Sequence, residues 1–172
     1  MKLTACGSCE PNGTQDKSVL GRAVQSGLVA GTASAAVAAW RAASEGSTVF
    51  APINAVTHCL WPRRASSETR FSARFTFTGL VIHQASAVFW AALFEAIGHR
   101  LARGAHRADP VALAAAAAST AATAYVVDYH VVPKRLTPGF DAHLSDRSLT
   151  GMYVALALGL AGAALLRSRS TH

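Results

Sequence analysis

The residues able to do chemistry in this chain are few, and they stand among apolar neighbours. His83 and Gln84 lie near the middle of the stretch FTFTGLVIHQASAVFWAALFEAI (75–97), and Glu95 lies near its end. Asp128, Tyr129 and His130 close a second apolar run, and His58 sits beside Cys59 in a short apolar segment. Polar groups at membrane depth are costly without partners, so each is a functional candidate. Histidine and carboxylate suit zinc, iron or manganese, and a histidine near a carboxylate can also relay protons. A metal or haem site would draw on His58, His83, Asp128 and His130. No H-x-x-x-H or E-x-x-H step occurs. On one regular helix Asp128 and His130 point about 160° apart, so the ion would need His83 with Asp128, plus His58 or His130.

Other candidates read as structural. Glu95 follows Gln84 by about three turns on nearly the same face, and Arg22 stands at the matching depth of the first apolar run. The two are expected to pair near the interface. Phe89, Trp90 and Phe94 fall at helical spacing and read as packing or lipid contact. Cys6 and Cys9 form a lone C-x-x-C in a polar tail, without the second pair that a zinc site of this kind requires. No apolar region precedes Cys6, which argues against a lipoprotein signal. There is no G-x-S-x-G, P-loop or nucleotide fingerprint, and no serine or cysteine with an evident base, so nothing argues for an enzyme.

The elements that must hold these residues are long and apolar. The chain has 172 residues, 51% hydrophobic and 15% charged, against roughly 25% charged in soluble domains. Mean hydropathy is +0.27, diluted by a polar tail and loops. A bilayer-crossing helix needs about 20 apolar residues. Four runs qualify on this reading: 19–43, 75–97, 110–132 and 147–166, after a disordered polar tail over 1–18. None shows the charged face of a soluble amphipathic helix. The expected fold is therefore an all-α, four-helix transmembrane bundle, residues 19–172 forming a single membrane domain. Residues 50–61, bracketed by Pro52 and Pro62, are too short to span and read as an interfacial or re-entrant piece. Asp109-Pro110 is a helix start, with Asp as N-cap and Pro at the first helical position.

Net charge is +7. Arg22, Arg41, Arg74, Arg100 and Arg167 sit at the edges of apolar runs, where they can reach lipid headgroups. No basic helix face interleaved with aromatics is present, which argues against nucleic acid. Lys and Arg divide evenly between the two sides of a four-span layout, so the positive-inside rule assigns no orientation. Gly27 and Gly31 form a GxxxG step, continued by small residues at Ala30, Ser34 and Ala38, a face suited to close helix contact. Membrane lipid and a second copy of the chain, docked through the Gly27/Gly31 face, are the expected partners.

If the second and third runs form an antiparallel hairpin, His83 comes level with Tyr125 and Asp128 with Leu80. Asn54, His58, Asp141 and His143 then gather at the same end. The segments Ala51-Pro52-Ile53-Asn54-Ala55-Val56-Thr57-His58 and His83-Gln84-Ala85-Ser86-Ala87-Val88-Phe89-Trp90 resemble small bacterial inner-membrane proteins of the YagU-like group, matching in layout and at His58 and His83. That resemblance implies a bacterial inner membrane and no particular activity. Three functions follow. The first is a structural or interaction subunit. The second is a small transporter or proton-linked protein using His83 and Asp128. The third is a metal- or haem-binding membrane protein.

Overall fold

The computed structural model describes residues 13–102 and 109–170. The Cys6–Cys9 pair and the first part of the expected tail lie outside the described residues, as do Arg103 and Arg107. The fold is 78% helix, with no strand among the described residues. Its α-helices are α1 (Gly13–Ser44), α2 (Ala51–Ala55), α3 (Ala73–Ala102), α4 (Pro110–Val126) and α5 (Asp146–Ser170). A 3-10 turn (Val56–Cys59) prolongs α2, and a π-helical turn (Val127–Val131) prolongs α4. The first helix begins at Gly13, ahead of the start expected at Val19.

Three of the four expected spans are long and apolar enough to cross a bilayer: Ala73–Gly98, Pro110–Val131 and Asp146–Arg169. α1 is not in that set. It is long, but Gln25, Ser26, Thr32 and Ser34, together with Gly27 and Gly31, dilute its apolar run. Gly27 and Gly31 lack side chains for a reason visible in the packing. A Cβ at Gly27 would stand 2.5 Å from Val88 Cα, and one at Gly31 would stand 2.8 Å from Ala87 Cβ. α1 thus presses its Gly27/Gly31 face onto α3 of the same chain. On its other side a Cβ at Gly159 of α5 would come within 2.5 Å of Ala30 Cα. Lipid offers helices little hydrophobic drive to associate, so close backbone packing over small residues supplies the contact.

The result is a ring of four antiparallel neighbours. α1 packs closely along both α3 and α5, and α4 packs along α5. α3 and α4, the expected hairpin, touch only lightly, although Gly98 does come beside Leu113 at one end. The ring therefore has one loose seam. The core is rich in alanine, with Phe94, Trp90, Leu156, Leu160 and Met152 among its large members. Leu20, Val24, Leu28, Val81, Phe89, Val154 and Leu158 remain exposed on the outside, an arrangement that suits a lipid surround.

Polar clamps fix the two ends of the ring. At the end near the termini, Glu95 of α3 is buried; Ser26 Oγ of α1 donates to it at 2.6 Å, and the Arg167 guanidinium of α5 pairs with it. Arg22 Nε lies 3.5 Å from its other oxygen. At the opposite end Glu45 caps α5, accepting from Ser145 N–H and Ser145 Oγ, each at 2.8 Å, from Ser148 Oγ, and from Arg41 at 3.1 Å. The hydrogen bond from Ser148, then those from Ser145, hold the Glu45 carboxyl down to about 2. Asp109 accepts from Val111 N–H at 3.0 Å with Pro110 behind it, the start its sequence implies.

Candidate functional site

At the end of the bundle where the 133–145 loop crosses it, the loose seam continues past α4 into a cavity bounded by α3, α5 and the π-helical turn. Its volume is about 180 Å³, and its walls come from α1, α3, α5, the 3-10 turn, the π-helical turn and the loop. His83 from α3 and Asp128 from the π-helical turn both line it. The two histidine–carboxylate candidates thus share one space, and most of what surrounds them is apolar, with Trp90, Phe140 and Met152 among the walls.

Each polar group has a definite local support. His83 Nε2 lies 3.0 Å from Gly31 O and 3.2 Å from Ser34 Oγ. A carbonyl can only accept, so the neutral ring carries its proton on Nε2 and leaves Nδ1 with the free lone pair. The absence of a side chain at Gly31 brings that carbonyl close enough to be used. Phe140 stands edge-on to the ring, centroids 5.5 Å apart, and fixes its plane. On the other wall, Tyr153 of α5 donates its hydroxyl to Asp128 Oδ2 at 2.8 Å. Tyr125, Tyr129 and Tyr153 pack edge-on or tilted around one another beside it.

The π-helical turn explains how Asp128 reaches the cavity. The Val132 amide bonds back to Val127 O at 2.9 Å, closing a widened turn. Such turns recur at functional sites because they displace side chains from the regular helical register. His130, two residues on, is exposed and edge-on to Tyr125.

His58 is placed elsewhere. Its Nδ1 faces Ala55 O at 3.0 Å and its Nε2 faces Lys134 O at 3.1 Å. It ties the 3-10 turn to the loop instead of joining His83. A Cβ at Gly139, whose φ is +76°, would stand 2.8 Å from His58 Nδ1, so glycine there serves both the backbone turn and the close approach. Of the four residues weighed as metal ligands, only His83 and Asp128 share the cavity, and no group of three or more His, Cys, Asp or Glu converges among the described residues.

The remaining gathered residues are structural. Asn54 is fully buried; its amide donates to Glu68 O and Arg70 O at 2.9 and 2.8 Å, and its oxygen accepts from Thr76 at 2.8 Å. Asp141 and His143 border a separate surface hollow next to Glu45, where His143 Nδ1 lies 3.3 Å from Ser47 Oγ. Gln84 turns to Thr32 at 3.0 Å.

Sequence reasoning missed Tyr153, Ser34 and the cover supplied by Leu136, Thr137 and Pro138, all of which line the cavity. Tyr153 carried one available signal, being the single aromatic residue in the last apolar run. Ser34 read only as part of a small-residue face. Compared with protein-family models, curated proteins and solved structures, the chain matches none.

Proposed function

We propose that this is an integral membrane protein whose seam cavity binds a small solute, with Asp128 and His83 as its polar contacts and proton exchange linked to binding. In this reading α1 is the fourth span, the membrane is a bacterial inner membrane, as the resemblance at residues 51–58 and 83–90 implies, and lipid surrounds the exposed apolar faces. One observation carries the proposal: His83 and Asp128, distant in sequence, line a single cavity of about 180 Å³ at bundle depth. A purely structural subunit gains nothing from that space, since protein interiors close-pack and a void forfeits contact energy.

Water access to the cavity tests the reading. Ser86, itself exposed, lines it from the middle of α3, while Val81, 67% exposed on the same helix, does not line it. In a background with Cys6, Cys9 and Cys59 replaced by Ser, and with protein in lipid nanodiscs, Ser86→Cys should react with a small charged thiol reagent and Val81→Cys should not. An unreactive Ser86→Cys would return the protein to the structural or interaction reading.

A further inference from the structure

The cavity contains one carboxylate, and its one basic group is the His83 imidazole, held through Nε2 to Gly31 O. Asp128 is its one acidic lining residue, and no Lys or Arg lines it. Among the described residues Asp128 forms no ion pair, and its single hydrogen bond comes from Tyr153 to Oδ2, which leaves Oδ1 open. The other acidic residues of the bundle interior and its ends are handled differently: Glu95 meets two arginines and Glu45 meets Arg41. An ionised carboxylate in apolar surroundings is strongly disfavoured without a counter-charge. Asp128 is therefore favoured either protonated or paired with a cation, and since His83 is itself only 8% exposed among apolar walls, a cation brought from outside is the better partner.

The remaining walls favour one kind of cation. Trp90, Phe140 and Tyr153 offer aromatic surfaces, and Met152 offers a polarizable sulfur. Aromatic rings attract desolvated ammonium groups, and such cages are a known means of recognising quaternary ammonium. A bare metal ion would instead require several hard or imidazole ligands at one point, and the described residues bring none together beyond His83 and Asp128. The size is suitable as well. Cavities of about 150 Å³ hold a benzene-sized molecule, so about 180 Å³ admits a small organic ammonium ion.

We infer that the seam cavity takes a small organic ammonium cation, which displaces the proton of Asp128. The inference rests on the solute-binding reading above. On binding, the Asp128 O–H bond breaks, its proton leaves to water, and the carboxylate pairs with the ammonium group. The groups facing Asp128 are Tyr153 from α5, His83 from α3, Cys59 from the 3-10 turn, and Tyr125 and Tyr129 from its own helix and turn. The nearby Arg135 is turned to Cys59 O, with Nε at 3.4 Å, and His130 is exposed. None of these places a fixed positive charge against the carboxylate.

The test uses choline and its uncharged isostere 3,3-dimethylbutan-1-ol, both water-soluble. Binding is followed by the fluorescence of Trp90 in the full chain, with Trp40 and Trp61 replaced by Phe. Choline should bind at least tenfold tighter than the alcohol. Its affinity should rise by about tenfold per pH unit while Asp128 is protonated in the free protein, since one proton leaves per cation bound. Asp128→Asn should lose choline binding and the pH dependence together. Asp128→Glu, which keeps the charge, should retain both in weakened form and covers the case in which the Asn variant does not fold. Equal affinity for choline and the alcohol, unaffected by Asp128→Asn, would leave a solute cavity and overturn its preference for cations. No binding of either probe would overturn the inference too, while reaction of Ser86→Cys decides separately whether the cavity admits water.

Discussion

At the scale of single residues, the two interior carboxylates are supported differently, Asp128 by the Tyr153 hydroxyl and Glu95 by arginines from two helices. Glu95 is 7% exposed and holds three helices through Ser26, Arg167 and Arg22. The Arg22–Glu95 approach was legible from depth alone. The larger part of the clamp was not, because Arg167 stands near the far end of the sequence, where a basic residue reads equally well as a headgroup anchor. Ser26 lies one turn after Arg22 on the same face and was the available clue. Glu95→Gln keeps the shape and removes the anion, leaving two guanidinium groups without their counter-charge. Breaking a buried pair in this way costs on the order of 3 kcal/mol, so the melting temperature in mild detergent should fall by several degrees. Arg167→Gln should cost less, since Arg22 still faces Glu95. An unchanged melting temperature for Glu95→Gln would show that water or headgroups already solvate the charges.

At the scale of elements, helix existence and approximate limits followed from apolar runs and from punctuation such as Asp109-Pro110, because both act locally. Which helix lies beside which did not follow. α3 and α4 are consecutive, yet the glycines of α1 and α5 direct the tight contacts elsewhere and leave the seam where the cavity sits. The π-helical turn was equally illegible, since it depends on a loop and a neighbouring helix as much as on the residues 127–131. The cap on α5 shows an element fixed by a residue distant in sequence. Glu45 accepts at the first turn of that helix, where the orphan N–H groups and helix dipole favour an anion, and its carboxyl is held down to about 2 from 4.5. A carboxylate whose folded value is depressed adds stability above its unfolded value, and that stability is lost as pH falls through the folded one. The wild type should therefore lose thermal stability between about pH 4.5 and pH 2 more steeply than Glu45→Gln, and the two melting curves should draw together at the acid end. Parallel curves across that window would show that Glu45 does not couple to folding.

At the scale of the whole molecule, α1 decides whether the ring of helices crosses the membrane three times or four. Composition excludes α1 from the candidate spans, but its position argues for inclusion. It lies antiparallel along α3, from the Ser26–Glu95 contact to the Ser34–His83 contact, and along α5, from Ser26–Arg167 to Arg41–Ser148. On the membrane reading proposed above, a helix held between α3 and α5 over that length would share their depth. Its outer face also carries Leu20, Val24 and Leu28 at helical spacing, all exposed, as a lipid-facing strip would. The interior cost of Ser26 and Ser34 is met by Glu95, Arg167, Gly31 and His83, so these residues lower its hydropathy without exposing polar atoms to lipid. Three crossings would place the N- and C-terminal ends on opposite sides, whereas four place them on the same side. Epitope tags on both ends, digested in sealed vesicles of known orientation, should be cleaved together or protected together. Cleavage of one and protection of the other would remove α1 from the membrane, and with it the α1 wall that supplies Gly31 and Ser34 to His83.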